Sequence, residues 1–268
     1  MLRFLFSTTL IILLTILTQV GGLLFFVFRF VLYPGFPKSW KSWWISTPLF
    51  VLFYALNCAF LVPQLASLWN REPLPLIDDQ VAPGTWLTTL CNRQYVDQEM
   101  AAVVYRTAEE FQKEYPGGKI IYLDANFPLI DGFPLFPHLS HNDGKKLDLA
   151  FVYSTPNGQI LNQGTTWSGY GHYEGPNEGE VDQVTPCLEE NPLYSFMEYL
   201  SLFPLRGGYT LDEAKTSWII EYLVKQDQVE KIFIEPHLKT RLRVRYEKVR
   251  FHGCHSVRHD DHIHFQLR

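Results

Sequence analysis

A chain of 268 residues with 47% apolar and 15% aromatic content is long and apolar enough to bury a core and still carry an appendage. Its net charge of −5 is unevenly spread: residues 71–268 hold all 28 acidic but only 19 of the 23 basic residues, a formal charge of −9. That balance excludes a phosphate backbone as partner, so no nucleic acid is expected, and the four cysteines, without a C-x-x-C pair, settle neither a metal site nor a compartment.

Residues 1–70 contain Arg3, Arg29, Lys38 and Lys41 and no Asp or Glu. Two stretches within them, Phe4 to Phe28 and Ile45 to Trp69, are uncharged and long. Each is about 37 Å as a helix at about 1.5 Å per residue, against a hydrocarbon core of about 30 Å. The expectation is a two-helix transmembrane hairpin over residues 1–70, in contact with the lipid bilayer through residues 4–69. YPGFPKSWKSWW between the stretches reads as a short interfacial loop with tryptophan anchors. Arg29, Lys38 and Lys41 outnumber Arg3 and the α-amino group by one charge, which places this loop in the cytoplasm. The N-terminus and everything after residue 70 then lie outside it.

REPLPLIDDQVAPGTW opens a Pro-rich linker assigned to residues 71–95, and residues 96–268 are expected to form one domain. There, apolar spacing predicts a helix over 96–115, stopped by Pro116-Gly117-Gly118, and strands over 119–127 and 146–154. QGTTWSGYGHYEGPNEGE (163–180) reads as a surface loop, and NPLYSFMEYLSLFPL as a helix ending at Pro204. A helix over 211–226, a strand over 229–236, a short helix over 237–245 and a final strand DHIHFQLR complete the pattern. The mixture predicts an α+β fold with a small, largely antiparallel sheet and flanking helices.

Two stretches carry the chemistry. Asp148 lies inside the apolar strand KLDLAFVYS, where a carboxylate on a half-buried face is costly unless a positive partner meets it. Either a basic side chain (Lys145, Lys146 or an arginine) or a metal ion meets it, or Asp148 sits on an exposed face. His141 precedes Asp148 by seven positions, with Gly144 between them to turn the chain. The second stretch is the terminus, where His252, His255, His259, His262 and His264 gather five of the nine histidines. Alternation puts His262 and His264 on one face of the last strand, about 6.8 Å apart at about 3.4 Å per residue. If the two strands are neighbours, His141, Asp148 and His264 converge, and two imidazoles, a carboxylate and an open position describe a catalytic zinc site.

H-x6-D followed far downstream by H-x-H resembles the metallopeptidase group that includes lysostaphin-type endopeptidases and D-Ala-D-Ala dipeptidases and carboxypeptidases. SHNDGKKLDLAFVY, KIFIEPHLKTRL and RHDDHIHFQLR, in that order, are most similar to its penicillin-insensitive murein endopeptidases. The resemblance covers roughly residues 119–268. It implies Zn2+ held by His141, Asp148 and His264, with His262 as the catalytic histidine and His259 assisting substrate or water. Asp260 or Asp261 would orient a histidine. A glutamate that serves the dipeptidases as base corresponds here to Asp261, one methylene shorter, so the histidine-based endopeptidase arrangement fits better.

The implied activity is hydrolysis of peptidoglycan peptides, outside the cytoplasm, by a multi-pass protein of a bacterial plasma membrane. A D,D-carboxypeptidase or dipeptidase, and a non-catalytic wall-binding module, are the alternatives. Of the remaining histidines, His138 is expected in a loop, His172 and His237 exposed, and His252 and His255 beside the strand.

Overall fold

KLDLA and HIHFQL alternate apolar with polar residues, and this period of two builds the centre of the fold. The computed structural model describes residues 2–201, 204 and 208–268. Six strands make the main sheet: β1 (Val81–Pro83), β2 (Ile120–Tyr122), β3 (Lys146–Ala150), β4 (Val229–Phe233), β5 (Val249–Arg250) and β6 (His262–Leu267), in the order β1-β2-β3-β6-β4-β5. The two outer pairs, β1/β2 and β4/β5, are parallel, and the pairs between them are antiparallel. The architecture is mixed α/β, with a largely antiparallel centre as expected.

One face of the central pair carries Leu147, Leu149, Ile263 and Phe265, all buried. Against it lie the helices Gln98–Glu114 and Glu213–Val224, which supply Val103, Val104, Ala108, Ile220 and Leu223 to the same cluster. Each helix starts at an aspartate whose side chain accepts the backbone N–H three residues on: Asp97 from Met100 N (2.7 Å) and Asp212 from Lys215 N (3.1 Å). The opposite face of the pair is left to Asp148, His262 and His264.

Part of the segment read as a linker belongs to the domain. Val81–Pro83 forms the edge strand β1, and Arg71–Pro73 pairs antiparallel with Tyr95–Asp97. Pro73 and Pro83 end strands that are paired on one side only, where proline is tolerated. In the stretch expected to be a helix ending at Pro204, a short 3-10 helix spans Phe196–Leu200, and residues 202 and 203 lie outside the described residues.

The apolar N-terminal part departs further from expectation. Trp43–Ser67, 25 residues, is long and apolar enough to cross a membrane. The first stretch is not a second such helix: it reverses after Thr18, where Gln19 adopts a left-handed φ of 64°, and a shorter apolar helix restarts at Gly21. Gly22 leaves no room for a side chain, since a Cβ there would lie 2.4 Å from the Ile11 carbonyl oxygen, so the two short helices approach closely. Phe28 stacks near Phe50 (5.4 Å) and Phe53 (5.8 Å), while Val20 and Leu24 meet Tyr54, Val62 and Ala66, so the second short helix runs antiparallel to Trp43–Ser67. Hydropathy averages over the reversal, which rests on one residue's backbone. Among the described residues one helix is long and apolar enough to cross a membrane, so the expected hairpin of two spanning helices over 1–70 is not clearly formed.

Candidate metal centre

Antiparallel register puts His264 directly opposite Asp148 and His262 opposite Ala150. His264 Nδ1 lies 2.8 Å from Asp148 Oδ1. His141 arrives from the loop before β3, where Gly144, at φ 83°, turns the chain into the strand. Its Nδ1 donates to the Ala125 carbonyl (2.7 Å), which leaves Nε2 as a bare lone pair in the neutral ring. That lone pair points at His264 Nδ1 (3.0 Å) and Asp148 Oδ1 (3.3 Å). All three residues are buried. Acceptors facing one another out of water repel unless a proton or a cation sits between them, and two imidazole nitrogens with a carboxylate oxygen are a donor set that divalent transition metals take.

Asp148 has a second side. Its Oδ2 accepts from the Tyr170 hydroxyl (2.8 Å) and lies 3.4 Å from His138 Nδ1. His138 Nδ1 is also 3.2 Å from Asp124 Oδ2, and Arg93 donates to that same oxygen (3.0 Å). His138, expected as an ordinary loop residue, is thus buried in the centre. Tyr170 comes from the glycine-rich segment read as a surface loop; its neighbour Gly171, at φ 83°, would place a Cβ 2.6 Å from the Met197 carbonyl oxygen. No periodicity marks either residue, and only the clustering of histidines around 138–141 hinted at one of them.

His262 makes no hydrogen bond to His141, Asp148 or His264. Its Nδ1 donates to Asp261 Oδ1 (2.5 Å), and Asp261 Oδ2 accepts from Gly171 N (2.6 Å), so the ring is oriented from behind. Its Nε2, buried and without a hydrogen-bond partner, lies 3.7 Å from Asp148 Oδ1. His138 Nε2 is likewise buried and unpartnered. Two groups could hold an ion, His141/Asp148/His264 and His138/Asp148/His262, and Asp148 belongs to both. Asp260, the other candidate for orienting a histidine, binds Arg258 instead.

Charge follows this geometry. Burial works to raise Asp148, but His141, His262 and His138 around it hold the carboxyl well below the usual range. Burial likewise opposes a charge on His262, yet Asp148 and Asp261 raise it to about 9. His264 goes the other way, lowered to about 3 by burial despite its bond to Asp148. His259 is buried 5.0 Å from the His262 ring and 5.6 Å from that of His264, and burial with those neighbours pushes it well below the usual histidine value.

A cleft of about 380 Å³ opens onto His138, His141, His259 and His264, walled by Phe136, Leu139, Leu193, Phe196 and Val257. His252 and His255, expected beside the strand, stand on its rim and are exposed. A disulfide between Cys187 and Cys254 ties that rim to the helix Val184–Glu190. His172 is partly exposed, whereas His237, also expected at the surface, is fully buried and donates to the Glu174 carbonyl (2.8 Å).

No family model matches the chain, and no curated protein matches it. Fold and site together define a mixed α/β domain with a buried histidine–aspartate cluster able to hold a metal ion.

Proposed function

We propose that the protein is a zinc-dependent endopeptidase acting on the peptide cross-links of bacterial peptidoglycan. It would be held at the plasma membrane by Trp43–Ser67, with the domain outside the cytoplasm. The observation that carries this reading is the convergence of His141 Nε2, Asp148 Oδ1 and His264 Nδ1 at the end of an open cleft, with an oriented His262 beside them. Zinc bound there would supply Lewis acidity toward a peptide carbonyl and toward water.

The chain's own residues do the rest. Asp261 fixes His262 with Nε2 free, placed to take a proton from the attacking water and pass it to the leaving amine, and, once protonated, to hydrogen-bond the oxygen that becomes anionic on the scissile carbonyl. Tyr170 and His138 occupy the far oxygen of Asp148, leaving the near one for the metal. Endopeptidase is favoured over carboxypeptidase because, of the arginines that could meet a terminal carboxylate, Arg93 and Arg258 are committed to Asp124 and Asp260, and Arg106 is exposed on the helix Gln98–Glu114, which packs against the core face of the sheet. The Cys187–Cys254 bridge favours an oxidising compartment.

The test is metal content of the full chain in detergent together with its products on purified peptidoglycan. Bound zinc and severed cross-links without released terminal D-alanine are expected. Released D-alanine would make it a carboxypeptidase, and bound zinc with intact cross-links a non-catalytic module.

A further inference from the structure

The loop that carries His138 and His141 is held from the apolar N-terminal part. At the reversal between the two short helices, Gln19 is buried, and its side chain reaches the domain. Gln19 Oε1 accepts from Leu129 N (2.7 Å) and Ile130 N (3.3 Å), while Nε2 donates to the Ile130 carbonyl (3.3 Å). One side-chain amide thereby satisfies three backbone groups of a segment that has no strand or helix to satisfy them. Leu129 itself packs on the cluster of Val20, Leu24, Tyr54 and Val62.

The route from there to the metal ligands is short. Two residues beyond Ile130, Gly132 N donates to the carbonyl of Asn142 (2.8 Å), the neighbour of His141, and His141 N donates to the His138 carbonyl (2.9 Å). The same stretch is also held on either side of Leu129 and Ile130 by Arg71, buried just past Trp43–Ser67, which donates to the Phe127 carbonyl and the Asp131 carboxylate.

We propose that Gln19 is a positioning residue for the metal centre: the apolar helices are a structural part of the site, and Gln19 sets the loop geometry that presents His141. The proposal rests on the metal-binding half of the reading above and not on peptidase activity.

The experiment uses the full chain in detergent and compares Gln19→Ala, Gln19→Asn and Gln19→Glu with the exposed control Gln64→Ala. Zinc affinity and amide hydrogen exchange over residues 127–144 are measured. Gln19→Asn keeps the amide but falls a methylene short, so it and Gln19→Ala should bind zinc about 10- to 100-fold more weakly, the range seen when groups behind metal ligands are lost. Exchange should quicken at Leu129, Ile130 and Gly132 while the amides of β3 and β6 stay protected. Gln19→Glu, which retains the acceptor, should recover most of the affinity, and Gln64→Ala should match wild type. Wild-type affinity and wild-type protection in both Gln19→Ala and Gln19→Asn would overturn the proposal. If the wild type takes up no zinc, the metal reading fails, and unchanged exchange in the variants then sinks the coupling as well.

Discussion

Asp148, His262 and His264 reach the candidate metal centre from paired strands, whereas His138, His141 and Tyr170 reach it from loops, and different forces hold the two groups. The strand residues are fixed by register, with His264 opposite Asp148 and the apolar residues between them anchored in the core. The loop residues depend on individual hydrogen bonds: Ala125 for His141, Asp124 for His138, Asp148 and the Asp124 amide for Tyr170. A ladder of backbone bonds fails only as a unit, while a loop contact fails alone. The strand half therefore supplies rigidity and the loop half supplies the parts most open to local change.

The largest effect is expected where the halves meet. Asp148 belongs to both possible ion-holding groups, so Asp148→Ala should abolish stoichiometric zinc binding. His141→Ala from the loop and His264→Ala from the strand should each lose the ion too, because two protein bonds are too few to hold it. Metal analysis of the purified chains decides this, and full occupancy in any one variant removes that residue from the site. Next comes His262→Ala, which should keep zinc and lose turnover by about 10²- to 10⁴-fold, the usual contribution of a positioned acid or base. Loss of zinc as well would make His262 a ligand and shift the centre towards the His138/Asp148/His262 group.

Within the strand half, Phe265 is fully buried on the core face. Phe265→Ala should destabilise the domain by about 3–5 kcal/mol in denaturant unfolding, a cost without counterpart among the loop residues. A much smaller loss would mean that register alone, without the core beneath it, holds the strand ligands.

Glu235 supports the segment leading into β6, accepting from Tyr194 OH (2.5 Å) and His259 N (3.2 Å). Burial, opposed by the Tyr194 bond and aided by the charge of Asp260, raises its pKa from 4.5 to about 7. The folded state therefore keeps a proton that the unfolded state gives up, and stability is lost as pH rises from about 4.5 to about 7. At about 1.4 kcal/mol per unit, the loss is about 3.5 kcal/mol. Glu235→Gln should flatten this part of the stability-versus-pH curve and be more stable than wild type at pH 8. An unchanged slope would show that Glu235 is not the group responsible.

How much of this was legible in the sequence follows the same division. Asp148 interrupts an apolar strand and His262 and His264 share a face by alternation, so the strand residues are marked by the period of two. Register between β3 and β6 was not visible, only its consequence if they paired. His141 is marked by spacing and resemblance, but His138, three residues away, reads only as a loop residue because a loop histidine has no periodic context. Tyr170 lay in a segment whose glycines read as surface, although Gly171 serves to bring the chain close to Met197. The reversal at Gln19 was hidden for a related reason: hydropathy measures composition, and a single left-handed residue does not change it.

The smallest expected effect tests the loop half most directly. Tyr170 OH donates to Asp148 Oδ2 (2.8 Å) and accepts from Asp124 N (2.9 Å), so one hydroxyl ties two buried groups together. Tyr170→Phe keeps the ring and its packing but leaves the Asp124 amide without its partner and Asp148 Oδ2 with His138 alone. Stranding a buried donor costs about 1–3 kcal/mol, and the effect should sit near the lower end, because the Asp124 carbonyl and β3 still bond through Asp148 N (2.9 Å). Zinc affinity should fall with it, since the carboxylate is no longer held with its near oxygen fixed towards the ion. Denaturant unfolding and zinc titration of the same variant check both consequences. A variant as stable and as tight as wild type would mean that the loop hydroxyl only fills space and that register alone sets the Asp148 carboxylate.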